Sequence, residues 1–409
     1  MREMKDSGVE WIGEIPVTWN VYRNKNAFVC SKDLVGRKSS GTQLLSLTTK
    51  GIKLKDINNA EGKLPESFDT YQYVKKDEMV MCLFDLDCSA VFSGLSPYDG
   101  MISPAYKVLT CTDRMEPKYA DYWFQYISHG RKFNHYAKNI RYTLSYEEFS
   151  ALPMLFPDRE EQIRISNYLD AKCSKIDEII EKQHAIIEKL KEYKLSYINE
   201  VTNVNDGIKC HLGFIGQMKN GLNFTDTSEG HKIKFLGVGD FKDNFFVDKE
   251  EMFSTIISEE NVAEDYMLHS GDIVFVRSNG SKELVGRAVM VNGIEYPVTY
   301  SGFCIRFRNI RPDIIDSKFL LYYFRSLDFR KQLEKYSQGS NISNLNQDLL
   351  SSLQFTIPSK DYQKRRLDEM EIKCKEIDNA VIKFEGMNNK LQEYKKSLIY
   401  EVVTGKKEV

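Results

Sequence analysis

The sequence predicts an α+β chain of two tandem α/β globular domains, each followed by a long α-helix. The two helices are expected to pair as an antiparallel coiled coil. Three observations lead there: an internal repeat of about 200 residues, two long helical segments with heptad apolar spacing, and short apolar or β-branched runs in the stretches between.

The repeat is clearest around the helices. Asp170-Ala171-Lys172-Cys173-Ser174-Lys175-Ile176-Asp177 returns 201 residues later as Glu371-Ile372-Lys373-Cys374-Lys375-Glu376-Ile377-Asp378. The same offset carries Pro157 onto Pro358, Gln162 onto Gln363, Leu190-Lys191-Glu192-Tyr193-Lys194 onto Leu391-Gln392-Glu393-Tyr394-Lys395, and Leu144 onto Leu345. Upstream, Tyr122-Trp123-Phe124 resembles Tyr322-Tyr323-Phe324, and Met79-Val80-Met81 resembles Ile273-Val274-Phe275. A period this long excludes a solenoid of short repeats and points to two domains presenting related surfaces. The expected boundaries are 1–155 and 204–356 for the domains, and 156–203 and 357–409 for the helices.

From Glu160 to Thr202 there is neither Pro nor Gly. Apolar residues recur at steps of three and four: Leu169, Cys173, Ile176, Ile180, Ile187, Leu190, Tyr197, Val201. The second helix gives Met370, Cys374, Ile377, Val381, Phe384, Leu391, Leu398 and Val402, a sustained heptad seam. Gln183, Lys194 and Asn388 fall on these seams, where a polar side chain fixes register at some cost in stability. Asp158 and Ser359 are placed to cap the two helices, and Gly405 to end the second. Forty-odd residues span on the order of 60 Å. A dimerisation coiled coil is the alternative. The duplication favours an intramolecular pair, because one chain already carries both seams.

In the globular halves, strands are expected at Leu44–Leu47, Met79–Phe84, Val108–Leu109, Lys234–Val238, Ile273–Val276, Ala288–Val291 and Cys304–Phe307. Short helices are expected at Lys118–Ser128 and Ser317–Ser326. Asn279-Gly280 marks a turn.

Composition narrows the functions. Hydrophobic residues make up 42% of the 409 residues, enough for sizeable cores. The formal net charge is −2, which excludes a uniformly basic nucleic-acid coat. No apolar run of membrane-spanning length and no signal peptide is present, so a cytoplasmic location is expected. The eight cysteines contain no Cys-x-x-Cys pair, so reduced thiols are expected rather than a zinc site.

Catalytic motifs are weak. Phe235-Leu236-Gly237-Val238-Gly239 fits the glycine loop of S-adenosylmethionine enzymes, but that loop needs a following helix, and Asp240-Phe241-Lys242-Asp243-Asn244 reads as a turn. Ser103-Pro104-Ala105-Tyr106 lacks the second Pro of amino-methyltransferase loops, and its counterpart Ser301-Gly302-Phe303-Cys304 has neither Pro nor Tyr. Asp85, Asp87 and Asp99 have no Glu-x-Lys partner for a nuclease metal. No phosphate loop and no nucleophile elbow occurs. The chain is expected to be non-catalytic, with no cofactor or metal of its own. A methyltransferase using the Phe235 loop and a coiled-coil scaffold without a DNA role are the alternatives.

Two clusters point to double-stranded DNA. The first runs from Arg131 to Tyr142 and contains Arg131, Lys132, Lys138, Asn139, Arg141 and Tyr142, with no acid; Lys and Arg neutralise phosphates, and Asn and Arg also reach base edges. Its counterpart contains Lys335, Gln338, Ser340 and Asn341. The second cluster is Arg277-Ser278-Asn279-Gly280-Ser281-Lys282, with Arg277, Ser278, Asn279 and Lys282 as the candidate contacts; its counterpart is Leu83-Phe84-Asp85-Leu86-Asp87. A shared frame with different tips is what two domains reading different bases require.

At this point the sequence resembles the specificity subunits of type I restriction-modification systems. Asp6-Ser7-Gly8-Val9-Glu10-Trp11-Ile12-Gly13-Glu14-Ile15-Pro16 with Trp19 looks like their opening motif. Pro157 with Glu161-Gln162 looks like their Pro-x-x-x-Glu-Gln helix start, and the tandem layout matches end to end. The second helix start departs from the pattern, with Tyr362 in place of Glu. The resemblance implies two target-recognition domains, each reading half of a bipartite site, and helices that set the unread spacer. It also implies docking of two methyltransferase subunits, joined by restriction subunits, with all cofactors on those partners.

Overall fold

The structure, a computed structural model, describes residues 2–31, 33–56, 65–86, 92–137, 142–224, 230–258, 261–336 and 344–409. It is a mixed α/β chain. Its helices are α1 (Pro117–His129), α2 (Tyr146–Ala151), α3 (Arg159–Thr202), α4 (Leu212–Ile215), α5 (Ser317–Phe324), α6 (Leu327–Tyr336), α7 (Gln347–Ser352) and α8 (Lys360–Val403). The chain divides into two compact units, residues 1–183 with 385–409, and residues 184–384. No described helix is long and apolar enough to cross a membrane.

The first unit is built on a four-stranded antiparallel sheet in the order Phe28–Cys30, Lys107–Cys111, Met79–Met81, Ser93–Leu95. Burial of all three side chains in Met79–Met81 explains its continuous apolar run: both faces of this central strand are covered. The predicted strand ends early, at Met81, because Leu83 turns away to hydrogen-bond a distant segment described below. The core gathers Trp19, Trp123, Tyr119, Phe124 and Phe149, together with Leu398 and Val402 of α8.

The second unit repeats this plan. Its five-stranded sheet runs Gly216–Asn220, Cys304–Asn309, Ile273–Val276, Ala288–Val291, Phe246–Val247. All neighbours are antiparallel except the last pair. The first four strands occupy the order seen in the first unit. A smaller sheet places His231–Leu236 between Ser254–Ser258 and Val298–Tyr300. Phe275, Phe307, Phe319 and Phe324 form one core on the helix side. Val274, Val276, Tyr300 and Cys304 form another on the opposite side.

The long helices start as their residues dictate. The Asp158 carboxylate accepts from Glu161 N at 2.8 Å, and the Ser359 hydroxyl from Tyr362 N at 3.3 Å, each serving as the N-cap. Gly405 adopts φ +73° just past α8, and a Cβ there would lie 2.4 Å from Pro16. Burial along α3 falls at Leu169, Cys173, Ile176, Gln183, Ile187, Ile198 and Val201. Within the first unit Lys395 Nζ meets both oxygens of Asp177 at 2.7 Å; within the second Lys194 Nζ does the same with Asp378. The two ion pairs are related by the 201-residue offset. Gln183 and Asn388 are buried in the first unit, and Gln183 Oε1 and both Asn388 amide atoms lack a partner among the described residues.

The retained glutamines have a structural role. Gln162 Nε2 donates to Arg114 O and Pro157 O, while its Oε1 accepts from Glu116 N. Gln363 makes the same three bonds, to Ile314 O and Pro358 O and from Asp316 N. Each ties the helix start to the turn preceding α1 or α5. The Glu-to-Tyr departure is also explained. Glu161 accepts from Trp19 Nε1 at 2.8 Å and pairs with Arg2, whereas Tyr362 donates its hydroxyl to Val201 O at 3.1 Å. In each unit this position secures the chain beside the end of a long helix, once through the N-terminal segment and once directly.

Candidate nucleic-acid interface

Arg131 sits exposed at φ +48°, leading the 3-10 turn Lys132–Tyr136, with Lys132 half-buried. Two aromatics of this stretch serve the fold. Phe133 is core, and the Tyr136 hydroxyl accepts from Trp11 Nε1 at 2.9 Å. Tyr142 is exposed, at φ +45°. Lys138, Asn139 and Arg141 lie outside the described residues, as do Gln338, Ser340 and Asn341. Lys335 is exposed in the last turn of α6.

The two clusters of each half, far apart in sequence, are neighbours in space. In the first unit Leu144 N donates to Leu83 O at 2.8 Å, and Leu86 N to Tyr142 O at 3.3 Å. In the second unit Leu345 N donates to Arg277 O at 2.8 Å, and Ser278 forms an antiparallel bridge with Asn344. The bond from Leu144 and the bond from Leu345 join equivalent positions at the same length. Each unit therefore carries one loop surface made from the strand-connecting tip and the segment before α2 or α7. One frame holds two different sets of side chains: Leu83-Phe84-Asp85 in the first unit, Arg277-Ser278-Asn279 in the second.

The second tip is well held. Arg277 N donates to Phe303 O at 2.8 Å, and Arg277 Nη1 lies 3.3 Å from Gly302 O. Asn279 Oδ1 accepts from Ser281 N at 2.8 Å, so this side chain shapes the turn. Lys282 begins the 3-10 turn Lys282–Leu284. Arg330, which aligns near Arg131, donates to Val285 O at 2.6 Å and pairs with Glu334, which makes it a brace of the tip.

Sequence reasoning missed a cationic group on the adjoining strands. Lys219 is paired with the exposed Asp265 and lies 3.9 Å from the Tyr266 ring centroid. Arg306, fully buried, donates to Asp265 O and Met267 O, and its Nε and Nη2 have no partner among the described residues. Arg308 is bound bidentately by Asp272. Lys219, Arg306 and Arg308 together hold the Asp265 carboxyl below the usual carboxylate range, with the Lys219 hydrogen bond as the largest cause. The only signal in the sequence was a lysine and two arginines scattered over ninety residues.

The Phe235 loop does not have the shape of a cofactor cradle. Phe235 lies inside a strand, and Gly237 N donates to Asp240 Oδ2 at 2.7 Å, closing the single 3-10 turn Val238–Asp240 in place of a helix.

Residues 210–399 match the family described as the type I restriction modification DNA specificity domain. Over 300 residues the chain is 25% identical to the type I restriction enzyme StySPI specificity subunit of Salmonella potsdam, covering 65% of this chain and 63% of that one. Over 146 residues it is 25% identical to the EcoKI specificity subunit of Escherichia coli K12, covering 36% and 31%. The matches thus span less than two thirds of either relative. Among solved structures, a chain from a type I R-M system studied for its complex assembly and conformational transition superimposes with TM-score 0.72 at 13% identity, covering 96% of this chain and 99% of that one. The HsdS subunit of Thermoanaerobacter tengcongensis gives TM-score 0.50 at 14% identity, covering 96% and 98%. At these identities the structural likeness establishes the fold.

Proposed function

We infer that this chain, whose residues 210–399 match the type I restriction modification DNA specificity domain, is the non-catalytic DNA-reading subunit of such a system. Residues 1–155 and 204–356 act as target-recognition domains, each reading half of a gapped double-stranded site. The helices 156–203 and 357–409 pair as an antiparallel coiled coil, set the unread spacer and dock two methyltransferase subunits, to which restriction subunits add. Methyl transfer and cleavage reside on those partners, and the chain works in the cytoplasm.

The observation that carries this reading is the repeated loop surface. The same backbone bond, from Leu144 to Leu83 and from Leu345 to Arg277, presents unlike side chains in the two units. Groove readout depends on side-chain identity over a constant frame. The ion pairs Lys395–Asp177 and Lys194–Asp378 support the helix pairing.

Phosphate contacts make binding salt-dependent, with a slope near 0.9 per phosphate neutralised. In the assembled complex, replacing the exposed Arg131 with alanine is expected to flatten the plot of log affinity against log salt by about one such unit. Asp265→Asn removes the carboxylate that occupies Lys219 and is expected to steepen it by about the same amount. The Lys219–Asp265 pairing also has a definite pH sense. A carboxyl whose pKa is depressed by folding adds stability above the ordinary carboxylate range and loses it as pH falls through its folded pKa. Salt titrations of fluorescent duplex binding that leave both slopes unchanged contradict the DNA reading.

A further inference from the structure

Phe303 is 58% exposed, at the tip of the turn joining the strands Val298–Tyr300 and Cys304–Asn309. Single exposed apolar side chains are ordinary on protein surfaces. This one differs in how it is held and in what lies beside it. Cys304 N donates to Ser301 O at 2.8 Å, Phe303 N to Ser301 Oγ at 3.2 Å, and Gly302 N to Leu222 O at 2.7 Å. Phe303 O in turn accepts from Arg277 N at 2.8 Å and Ser278 N at 3.4 Å. The backbone is therefore fixed on both sides, and its carbonyl is the anchor of the reading tip itself. A rigid aromatic projecting from such a frame loses little conformational entropy on contact.

At the aligned position the first unit carries no aromatic side chain. The residue aligned with Phe303 is Ala105, and the neighbouring Tyr106 stacks on Phe84 at 6.1 Å with an interplanar angle of 23°. There the aromatic surface is turned onto the tip; in the second unit it stands out beside Arg277 and Ser278.

We infer that Phe303 is a specificity-determining residue of the second unit, making an apolar contact to the methyl group of a thymine in the half-site read by Arg277 and Ser278. This rests on the DNA-reading function proposed above. The chemistry fits: among base edges in the major groove only thymine carries an apolar group, and Phe side chains are among those that contact it. Arg277 and Ser278, whose backbone N–H groups bond the Phe303 carbonyl, are of the types that read the polar edges of the same groove.

The test is methylome sequencing of cells carrying the chain with its methyltransferase partners, as parent, Phe303→Ala and Phe303→Leu. In the parent a gapped motif is expected. In Phe303→Ala one A·T position in one half-site is expected to relax, with discrimination falling on the order of tenfold. The other half-site keeps its bases, and Phe303→Leu retains most of the preference. Because the ring is exposed, Phe303→Ala is expected to unfold at the same temperature as the parent. A motif unchanged at every position, a relaxed G·C position, or equal loss in both half-sites overturns the assignment. A parent complex that is assembled and yet gives no motif overturns the DNA-reading function itself, a distinct result.

Discussion

Replacing Trp19 with alanine is expected to destabilise the first unit by about 3–5 kcal/mol, the range for deleting a large buried aromatic. Trp19 has no exposed surface and belongs to the largest core of that unit. Its indole also donates to Glu161 Oε2 at 2.8 Å, and Glu161 is itself 6% exposed. Alanine would leave a cavity and leave a buried carboxylate with Arg2 as its remaining described partner. The ring lies against the chain just past α8, where a Cβ on Gly405 would fall 3.2 Å from it. Loss of the indole therefore loosens both the N-terminal segment and the end of α8. Trp19→Phe keeps most of the apolar volume and loses the donor, so a smaller loss of about 1–3 kcal/mol is expected. Thermal unfolding of the full chain orders the three proteins parent, Phe, Ala; equal midpoints contradict this account of the opening motif.

Replacing Gln162 or Gln363 with alanine is expected to cost about 2–4 kcal/mol each. Each amide is almost fully buried and uses both ends, donating twice to carbonyls and accepting once from a backbone N–H. Alanine removes the partner and leaves three backbone groups behind, and an orphaned buried group costs about 1–3 kcal/mol. Glu at these positions keeps the acceptor and loses the donors, so it is expected to rescue little. Because the two glutamines lie in different units and share no partner, their effects are expected to add within about 0.5 kcal/mol. Denaturant titrations of the two single variants and the double variant check this. A double variant no worse than either single would mean that the two sites do not act independently.

These two sites show what was legible in the sequence. The repeat placed Gln162 on Gln363, and the long runs without Pro in the sequence are the helices α3 and α8. Continuous apolar runs gave the strands Ile273–Val276 and Ala288–Val291 with their observed limits. These signals are local, since burial of successive side chains leaves its mark on adjacent residues. What the sequence did not disclose depends on distant partners. Tyr362 is a departure from the family pattern until its hydroxyl is seen to reach Val201 O at the far end of α3. The predicted strand from Met79 overran because nothing local indicates that Leu83 O is the acceptor for Leu144 N, some sixty residues away. The adjacency of the two clusters follows from that same bond, as does its twin in the second unit. Phe303 was passed over because its neighbours Gly302 and Cys304 supplied no binding motif; only its exposure beside Arg277 gives it meaning.

In this reading two separately specified readers share one chain. Its most direct test is the methylation motif of the assembled complex before and after residues 204–356 are exchanged for the corresponding domain of another specificity subunit. A gapped, asymmetric motif is expected in which one half changes, while the other half and the spacer stay as they were. A motif in which both halves change, or an assembled complex that methylates without a gapped motif, would contradict it.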